Sequence, residues 1–566
     1  MPKPTASVKK ALANPKLAPE TVEFEGTEYK LITEGQATIL FPNTNEVFYN
    51  PVQQFNRDMS IAAIRTWSEI YFEEQQARAD KKAALREARQ AKSADGAKEA
   101  PKETEKQPMG DAPTPFVAPS NFTVLEALSA TGLRSIRYAK EIPNVRYIIA
   151  NDLEADAVRS ITRNVKYNGL APPATDVVAD AAKTDPPTTT TSSDGLVRPH
   201  QDDAIALMYR SRGAAQQFHV VDLDPYGSAA PFIDAAVQSV ADRGGLLCVT
   251  CTDLGVLAGT NYPEVCFAKY GGTPVRNGWC HEMALRLLIN SIQTSAARYG
   301  RYVVPVMSCS IDFYIRIFVR VYSGRAQVKN FVTQAGMVYS CPGCYTFHTD
   351  PFGRATTRGQ SVKYNASCGP SVGPECEFCG QKQHLAGPAW LGPLHDQDFV
   401  KRMYKLVDEA KDAFGTRTRM LGMIQLVSEE LEVPGFYTIA NLSGAVHCNS
   451  PSLVSICSAL LHAGYRVSGS HAQPASIKTD APPHAVWDVM RCWVKKNPVK
   501  LENFGEASPA ARILGVEPKL EANFTKHPDA SPTSRRDNFV RYQENPEKNW
   551  GPMARAKKSG AVHDQP

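Results

Sequence analysis

The sequence lacks any long apolar run. No stretch of about 18 apolar residues occurs in its 566 residues, so no membrane span is predicted. The N-terminus also has no apolar segment of the secretory type, which argues against export. A net charge of only +5 is weak evidence for nucleic-acid binding overall, so any basic surface must be local. Thirteen cysteines, an odd number, indicate free thiols and metal ligands rather than a disulfide framework.

The G-x-G-x-x-G pattern of dinucleotide-binding proteins is also missing. Gly132 alone marks the turn between an apolar strand at 124–128 and a helical segment at 133–141. A further strand ends at Asp152, about 20 residues after Gly132, the spacing at which an acid reaches the ribose of an adenosine cofactor. S-adenosylmethionine has no pyrophosphate and tolerates such a turn, so the pattern favours it over NAD. An ordinary turn, with Asp152 as a helix cap, is the alternative.

An acid-proline-aromatic turn is the most informative segment. The apolar run of Val220 and Val221 has the composition of a buried strand, and it ends in the segment 222–226 (DLDPY), which contains Asp224, Pro225 and Tyr226. Ligands of open α/β sheets bind at this carboxyl edge. The ring can lie on a planar base while the carboxylate engages its exocyclic amine. A solvated turn is the alternative.

Two C-x-x-C pairs predict a zinc site. Cys341 with Cys344, and Cys376 with Cys379, each fit the tight turn that presents two thiolates to one tetrahedral ion. Four protein ligands leave no open position, so the zinc would be structural. The alternatives are no metal, or a substituted ligand set that draws on His348, Cys368 or His384.

Four segments are similar to those of the eukaryotic, fungal-like family of tRNA (guanine26-N2)-dimethyltransferases. They are residues 48–58 (FYNPVQQFNRD), 128–138 (LSATGLRSIRY), 222–228 (DLDPYGS) and 469–482 (GSHAQPASIKTDAP), within a resemblance over about residues 25–500. The resemblance implies an enzyme that transfers methyl groups from S-adenosylmethionine to N2 of guanine 26 in tRNA. The products would be N2-methyl- and N2,N2-dimethylguanosine.

The expected fold class is α/β. A Rossmann-like S-adenosylmethionine-dependent methyltransferase core, closed by an antiparallel hairpin at 302–321, precedes a C-terminal α+β domain with a structural zinc site. The expected divisions begin with a disordered N-terminus at 1–20 and an N-terminal extension of the catalytic domain at 21–75. A charged and proline-rich insert at 76–119 begins as a solvated helix, and the methyltransferase core follows at 120–328 with a disordered insert at 183–203. A zinc-bearing tRNA-binding domain at 329–500 and a mostly disordered basic tail at 501–566 come last.

The cofactor side of the site involves five residues. By resemblance, Arg57 and Arg134 contact the methionine carboxylate or order the pocket, with ion pairs to neighbours as the alternative. Asp152 is expected on the ribose hydroxyls and Asp180 on the adenine amine, with the Ala181 backbone beside it.

The catalytic side is the turn itself. Asp224 is expected to accept an N2 proton, Pro225 to hold the second N–H through its carbonyl, and Tyr226 to stack on an extruded guanine. Asp222 is expected to be structural or to lie on the cofactor side.

Transfer RNA is the expected partner, and no obligate protein partner is evident. Possible contact residues are Arg159, Arg163 and Lys166 on one helix, the run Arg491, Lys495, Lys496 and Lys500 beside Trp487 and Trp493, and His471 and Lys478, each with a structural role as the alternative. The expected compartments are the nucleus, the mitochondrion and the cytoplasm. The competing functions are an amino-methyltransferase acting on another nucleic acid and a zinc-containing RNA-binding or chaperone protein.

Overall fold

The computed structural model describes residues 21–42, 49–95, 120–171 and 195–542, apart from positions 501, 503, 506 and 541. An antiparallel three-stranded sheet comes first, formed by β1 (Thr21–Phe24), β2 (Thr27–Glu34) and β3 (Ala37–Phe41). Helix α1 (Gln54–Asp95) follows, and Phe55 and Trp67 in its first half are fully buried. The helix predicted from residue 76 is observed as far as Asp95, and its side chains described up to residue 88 are mostly exposed.

A seven-stranded sheet forms the methyltransferase core. Its elements are β4 (Phe122–Glu126), α2 (Leu133–Glu141), β5 (Val145–Asp152), α3 (Ala155–Tyr167), β6 (Val197–Gln201), α4 (Ala204–Arg210), β7 (Val220–Leu223), α5 (Ile233–Ser239), β8 (Arg243–Cys251), α6 (Leu254–Leu257), α7 (Pro263–Tyr270), α8 (Cys280–Arg298), β9 (Arg301–Ile311) and β10 (Tyr314–Ser323). The strand order is β6-β5-β4-β7-β8-β10-β9, with only β10 antiparallel to its two neighbours. The predicted α/β class and closing hairpin are therefore confirmed.

The central strands are apolar because both faces of the sheet are covered. Every residue of β4 and β7 is buried, the pattern of a parallel sheet between helical layers. Gly132 begins α2 with φ of 76°. A Cβ atom there would lie 3.2 Å from Ile161 Cγ2, so this glycine allows α2 and α3 to approach each other closely.

The C-terminal part is built of small sheets and helices. They are α9 (Arg325–Lys329), α10 (Phe331–Gln334), β11 (Ala335–Ser340), β12 (Phe347–Pro351), β13 (Gly353–Arg358), β14 (Ser361–Ala366), β15 (His384–Trp390), α11 (Gln397–Glu409), α12 (Arg417–Glu429), β16 (Tyr437–Thr438), α13 (Ile439–Ala445), α14 (Leu453–His462), β17 (Val467–Ser470), β18 (Gln473–Thr479), α15 (Pro483–Lys496), α16 (Pro509–Leu514) and α17 (Thr533–Arg536). This confirms the expected α+β character. Within the described ranges no helix is long and apolar enough to cross a membrane.

Two predicted disordered segments are wrong in part. The insert 183–203 contains β6, which pairs with β5. Its Pro199 argues against a central strand, but an edge strand accepts proline. The tail 501–566 contains α16 and α17, and Ala510 and Ile513 are buried against α15. Because the tail is mostly polar, its sequence does not indicate these few apolar contacts. The N-terminal prediction for 1–20 falls outside the described residues.

Candidate active site and metal centre

The Asp-Pro-Tyr turn lies at the carboxyl edge of β7, where the sequence places it. The Gly227 N–H donates to Thr252 Oγ1 across 2.9 Å, and Ser228 Oγ lies 2.7 Å from Tyr270 Oη. These contacts fasten the turn to the segment after β8. The Tyr226 side chain is 52% exposed, so its ring can receive a planar ligand.

Arg134 of α2 approaches Asp224 directly. Its guanidinium donates to Asp224 Oδ2 in a very short contact and to Ser60 Oγ across 3.0 Å. Asn56 Nδ2 also faces Asp224 Oδ2, at 3.4 Å. No described residue donates a hydrogen bond to Asp224 Oδ1, which leaves this oxygen available as an acceptor.

A fully buried network of charged residues lies next to the Asp-Pro-Tyr turn and supports it. Asp222 accepts two hydrogen bonds from Arg316, at 2.8 and 2.9 Å, and one from Tyr138 Oη at 2.5 Å. Burial raises the pKa of Asp222, but Arg316 and Arg134 outweigh this and hold the pKa below its usual value. Asp222 is therefore an ionised structural residue, one of the two roles expected for it.

Ser60 connects the two arginines. Its Oγ accepts from Arg134 at 3.0 Å and from Arg316 at 2.8 Å, and its hydroxyl donates to the Asn56 carbonyl at 2.7 Å. Because these residues come from α1, α2 and β10, the site depends on long-range contacts. Sequence reasoning missed Ser60, Asn56 and Arg316. An arginine between Ile315 and Ile317 in a largely apolar strand was the available signal for Arg316.

Glu126 is a further residue that the sequence analysis missed. It is buried at the end of β4, accepts from Ser129 Oγ at 2.9 Å and lies 3.6 Å from Arg134 Nε. Burial raises the pKa of Glu126 to about 7. Its charge therefore changes near neutral pH, directly beside the arginine that holds Asp224.

Asp152 stands at the end of β5, on the cofactor side. Its carboxylate accepts from the Ala130 N–H at 2.9 Å and from the Glu154 N–H at 3.1 Å. It thus orders the turn before α2. The helix-cap alternative is wrong, because the N-cap of α3 is Glu154, and at the start of this helix Asp152 binds only the N–H of that residue. Asp180 and Ala181 lie outside the described residues.

Arg57 makes the ion pair expected as its alternative role. The partner is Glu34, bound through two contacts of 2.7 and 2.5 Å, rather than the adjacent Asp58, which pairs with Arg137 at 2.7 Å. The pair fixes the start of α1 against β2. Contact between Arg57 and a methyl donor stays a prediction.

The four predicted zinc ligands meet in one place. The sulfur atoms of Cys341, Cys344, Cys376 and Cys379 all lie within 4.8 Å of one another, and all four side chains are buried. The set could hold a tetrahedral zinc ion with no open position, as a structural site requires. The rivals His348, Cys368 and His384 are not in the group, and Cys368 and His384 are exposed.

A second cluster, His395, Glu430 and His471, also has metal-ligand chemistry. Both ring nitrogens of His471 are engaged, by Glu430 at 2.6 Å and by the Ser310 N–H at 3.1 Å. The Lys478 ammonium lies 3.4 Å from Glu430. The ammonium of Lys478 already balances the Glu430 carboxylate, and both nitrogens of His471 are already bonded. The cluster is therefore a hydrogen-bonded link between the core and the C-terminal domain.

Several predicted RNA contacts are buried instead. His471 and Lys478 are 2% and 1% exposed, so RNA contact is wrong for both and the structural alternative holds. Arg491 is also buried, paired with Asp488 at 2.8 Å, and Trp487 donates to Thr346 at 2.8 Å beside the cysteines. On α3 the cations have intramolecular partners: Asp156 for Arg159, Ser160 for Arg163 and Glu25 for Lys166.

The fold and the site define a Rossmann-like methyltransferase. The sheet is largely parallel, an acid ends its second strand, and an acid-proline-aromatic turn follows its fourth strand. The family model for N2,N2-dimethylguanosine tRNA methyltransferase matches residues 26–491. The chain belongs to this family.

Similar proteins extend over nearly the whole chain. The mouse tRNA (guanine(26)-N(2))-dimethyltransferase is 47% identical over 94% of this chain and 77% of its own. The Schizosaccharomyces pombe enzyme of the same name is 44% identical, over 93% and 92%. The solved structure of Trm1 from Pyrococcus horikoshii with S-adenosyl-L-methionine is 26% identical, with a TM-score of 0.58 over 81% of this chain and 99% of that one.

Proposed function

We propose that this protein transfers methyl groups from S-adenosylmethionine to the exocyclic N2 of guanine 26 in tRNA, giving N2-methyl- and N2,N2-dimethylguanosine. The observation that carries the proposal is the exposed Tyr226 ring beside Asp224, whose Oδ1 has no donor among the described residues. The relatives' names, tRNA (guanine(26)-N(2))-dimethyltransferase, support the substrate and the position.

The turn would hold the base and its amine. Tyr226 stacks on the extruded guanine, Asp224 Oδ1 accepts one N2–H, and the Pro225 carbonyl accepts the other. S-adenosylmethionine supplies a methyl group already activated on a sulfonium. The chain therefore contributes mainly orientation and a place for the proton.

Asp224 is the acceptor of the proton that the methylated amine releases. As the N–C bond forms and the C–S bond breaks, N2 becomes positively charged and releases a proton to Asp224 Oδ1, directly or through water. Arg134 and Asn56 both bind Oδ2, so they aim the free oxygen at the amine. A second methylation repeats these steps on the remaining N2–H.

The cofactor pocket is proposed at the adjoining carboxyl edges of β4 and β5. Asp152 is the acid for the ribose hydroxyls, and Arg134 and Arg57 order or contact the methionine end. Asp180 and Ala181 are proposed for the adenine. The zinc-bearing part, residues 329–500, is proposed to hold the tRNA body.

The test is nucleoside mass spectrometry on an unmodified tRNA transcript incubated with the protein and S-adenosylmethionine. We expect N2,N2-dimethylguanosine from a transcript with guanine at 26 and none from the matched transcript with adenine there. Dimethylguanosine from both transcripts would refute the position. Methylated adenine or cytosine without methylated guanine would favour the other amino-methyltransferase.

A relative from Saccharomyces cerevisiae is named as mitochondrial. We propose that this protein serves both mitochondrial and nuclear tRNA. Fractionation of cells expressing the tagged full chain tests this, and tagged protein in only one of the two fractions would refute it.

A further inference from the structure

A cavity of about 740 Å³ borders the edge strand β9 and carries negative charge. Asp396, Asp398 and Glu432 line it, and no lysine or arginine is among the described residues of its wall. An RNA backbone would be repelled there because each phosphate carries a negative charge.

A second cavity, of about 720 Å³, has the opposite charge. Lys269, Arg298 and Lys329 line it, and Asp234 is the one carboxylate in its described wall. We call this cavity the basic groove. The two cavities share Phe331 in their walls, so the charge changes sign over a short stretch of surface.

The basic groove begins where the catalytic turn ends. Ala230 and Tyr270 are in its wall, and Tyr270 Oη lies 2.7 Å from Ser228 Oγ. Ser228 is only two residues beyond Tyr226. The groove therefore adjoins the turn on which a guanine would be held.

Two of the three cations of the groove are available to a ligand, because Lys269 already pairs with Asp253 at 3.2 Å. Lys329 is exposed and forms no ion pair with any residue that the structure describes. Arg298 is 3.9 Å from Asp234, whose carboxylate already accepts from Ser295 at 2.6 Å. The cations of α3, by contrast, are paired within the protein.

A polar atom in the groove wall also lacks a partner. Asn290 Oδ1 is buried and receives no hydrogen bond from the described residues, while its Nδ2 faces the Pro388 carbonyl at 3.4 Å. Cations for phosphate oxygens and an acceptor for a hydroxyl are together the chemistry that recognises a ribose–phosphate chain.

We propose that the basic groove binds the sugar–phosphate backbone of tRNA next to the target guanine. Arg298 and Lys329 contact phosphate oxygens, and Asn290 Oδ1 accepts a ribose hydroxyl. The inference rests on the proposed function and adds to it the path of the substrate away from the catalytic turn.

The test uses the full chain with Arg298→Gln and Lys329→Gln combined. Both side chains are exposed, so the variant should fold. Affinity for an unmodified tRNA transcript is measured over a salt series, without methyl donor. We expect binding roughly tenfold weaker and a salt slope smaller by about 0.7 to 0.9 for each lost phosphate contact. The KM for tRNA should rise equally, and kcat should stay unchanged.

The matched control combines Lys30→Gln with Lys81→Gln, which removes two exposed cations from β2 and α1. An unchanged salt slope in this control is expected. An equal fall in both double variants, or no fall in the groove variant, would overturn the proposal. If the unaltered protein shows this binding pattern but methylates no guanine, the proposed reaction fails and the groove stands.

Discussion

The backbone N–H of Ser310 donates to Nε2 of His471 across 3.1 Å. This bond joins the edge strand of the core sheet to the C-terminal domain, and a second one runs from the Ser308 N–H to His395 Nδ1 at 3.3 Å. Burial lowers the pKa of His395 to about 3, so this imidazole stays neutral and can accept. Unpaired strand edges invite association, and here histidine side chains cover part of the edge.

Replacement of His471 by phenylalanine should therefore destabilise the protein rather than weaken RNA contact. The Ser310 N–H would stay buried without a partner and the buried Glu430 carboxylate would lose its contact with the imidazole, which lowers the free energy of unfolding by about 3 kcal/mol. Denaturant unfolding measures the loss. The control, His484→Phe on the exposed start of α15, should change little, and an equal effect of both would refute the interpretation.

Loss of the Ser60 hydroxyl should slow catalysis without unfolding the protein. In Ser60→Ala, Arg134 and Arg316 lose the hydroxyl oxygen that they share. Arg134 then positions the Asp224 carboxylate less firmly, so kcat falls about tenfold, with an unchanged KM for tRNA. Steady-state kinetics measures this. Ser68→Ala is the matched control, since Ser68 is buried on the same helix and donates to the Arg65 carbonyl. A fall in kcat for Ser68→Ala as well would contradict the role of Ser60.

One zinc ion per chain is expected from elemental mass spectrometry of the purified protein. Cys376→Ser should lose the metal and lower Tm, because a structural zinc stabilises only the folded state. Cys368→Ser, at an exposed thiol outside the cluster, should retain both. If Cys368→Ser lost zinc as readily as Cys376→Ser, the four-cysteine set would be wrong.

Glu126 should make stability fall as pH rises. Its ordinary pKa of 4.5 is raised to about 7 in the folded protein. Between these values the folded state keeps a proton that the unfolded chain has released, so the free energy of unfolding decreases with pH and then levels off.

Glu126→Gln should lack this slope. Relative to the unaltered protein, the variant should gain roughly 3 kcal/mol between pH 5 and pH 8. Denaturant unfolding at several pH values measures the gain, with the exposed Glu409→Gln as control. Parallel pH profiles for Glu126→Gln and the unaltered protein would contradict a titration at this site.

The sequence alone could predict the features that depend on residues close together in the chain. The acid-proline-aromatic turn at Asp224 and the cysteine pairs are short contiguous patterns, so their geometry follows from a few neighbouring residues. The contact between Ser60 and Arg316 joins residues 256 positions apart, and no local pattern encodes it. The sequence indicates a surface cation at Lys478 because its partner, Glu282 at 3.0 Å, is also far away in the chain.

The most direct test of the account is single-turnover methyl transfer to a tRNA transcript by Asp224→Asn. An amide occupies the same space but cannot take up the N2 proton, so we predict a rate at least roughly a hundredfold lower, with tRNA and S-adenosylmethionine binding retained. Asp242→Asn, at a half-buried acid before β8 that accepts from Ser323 at 2.8 Å, should keep the full rate. Methylation of guanine 26 by Asp224→Asn at the unaltered rate would contradict the account.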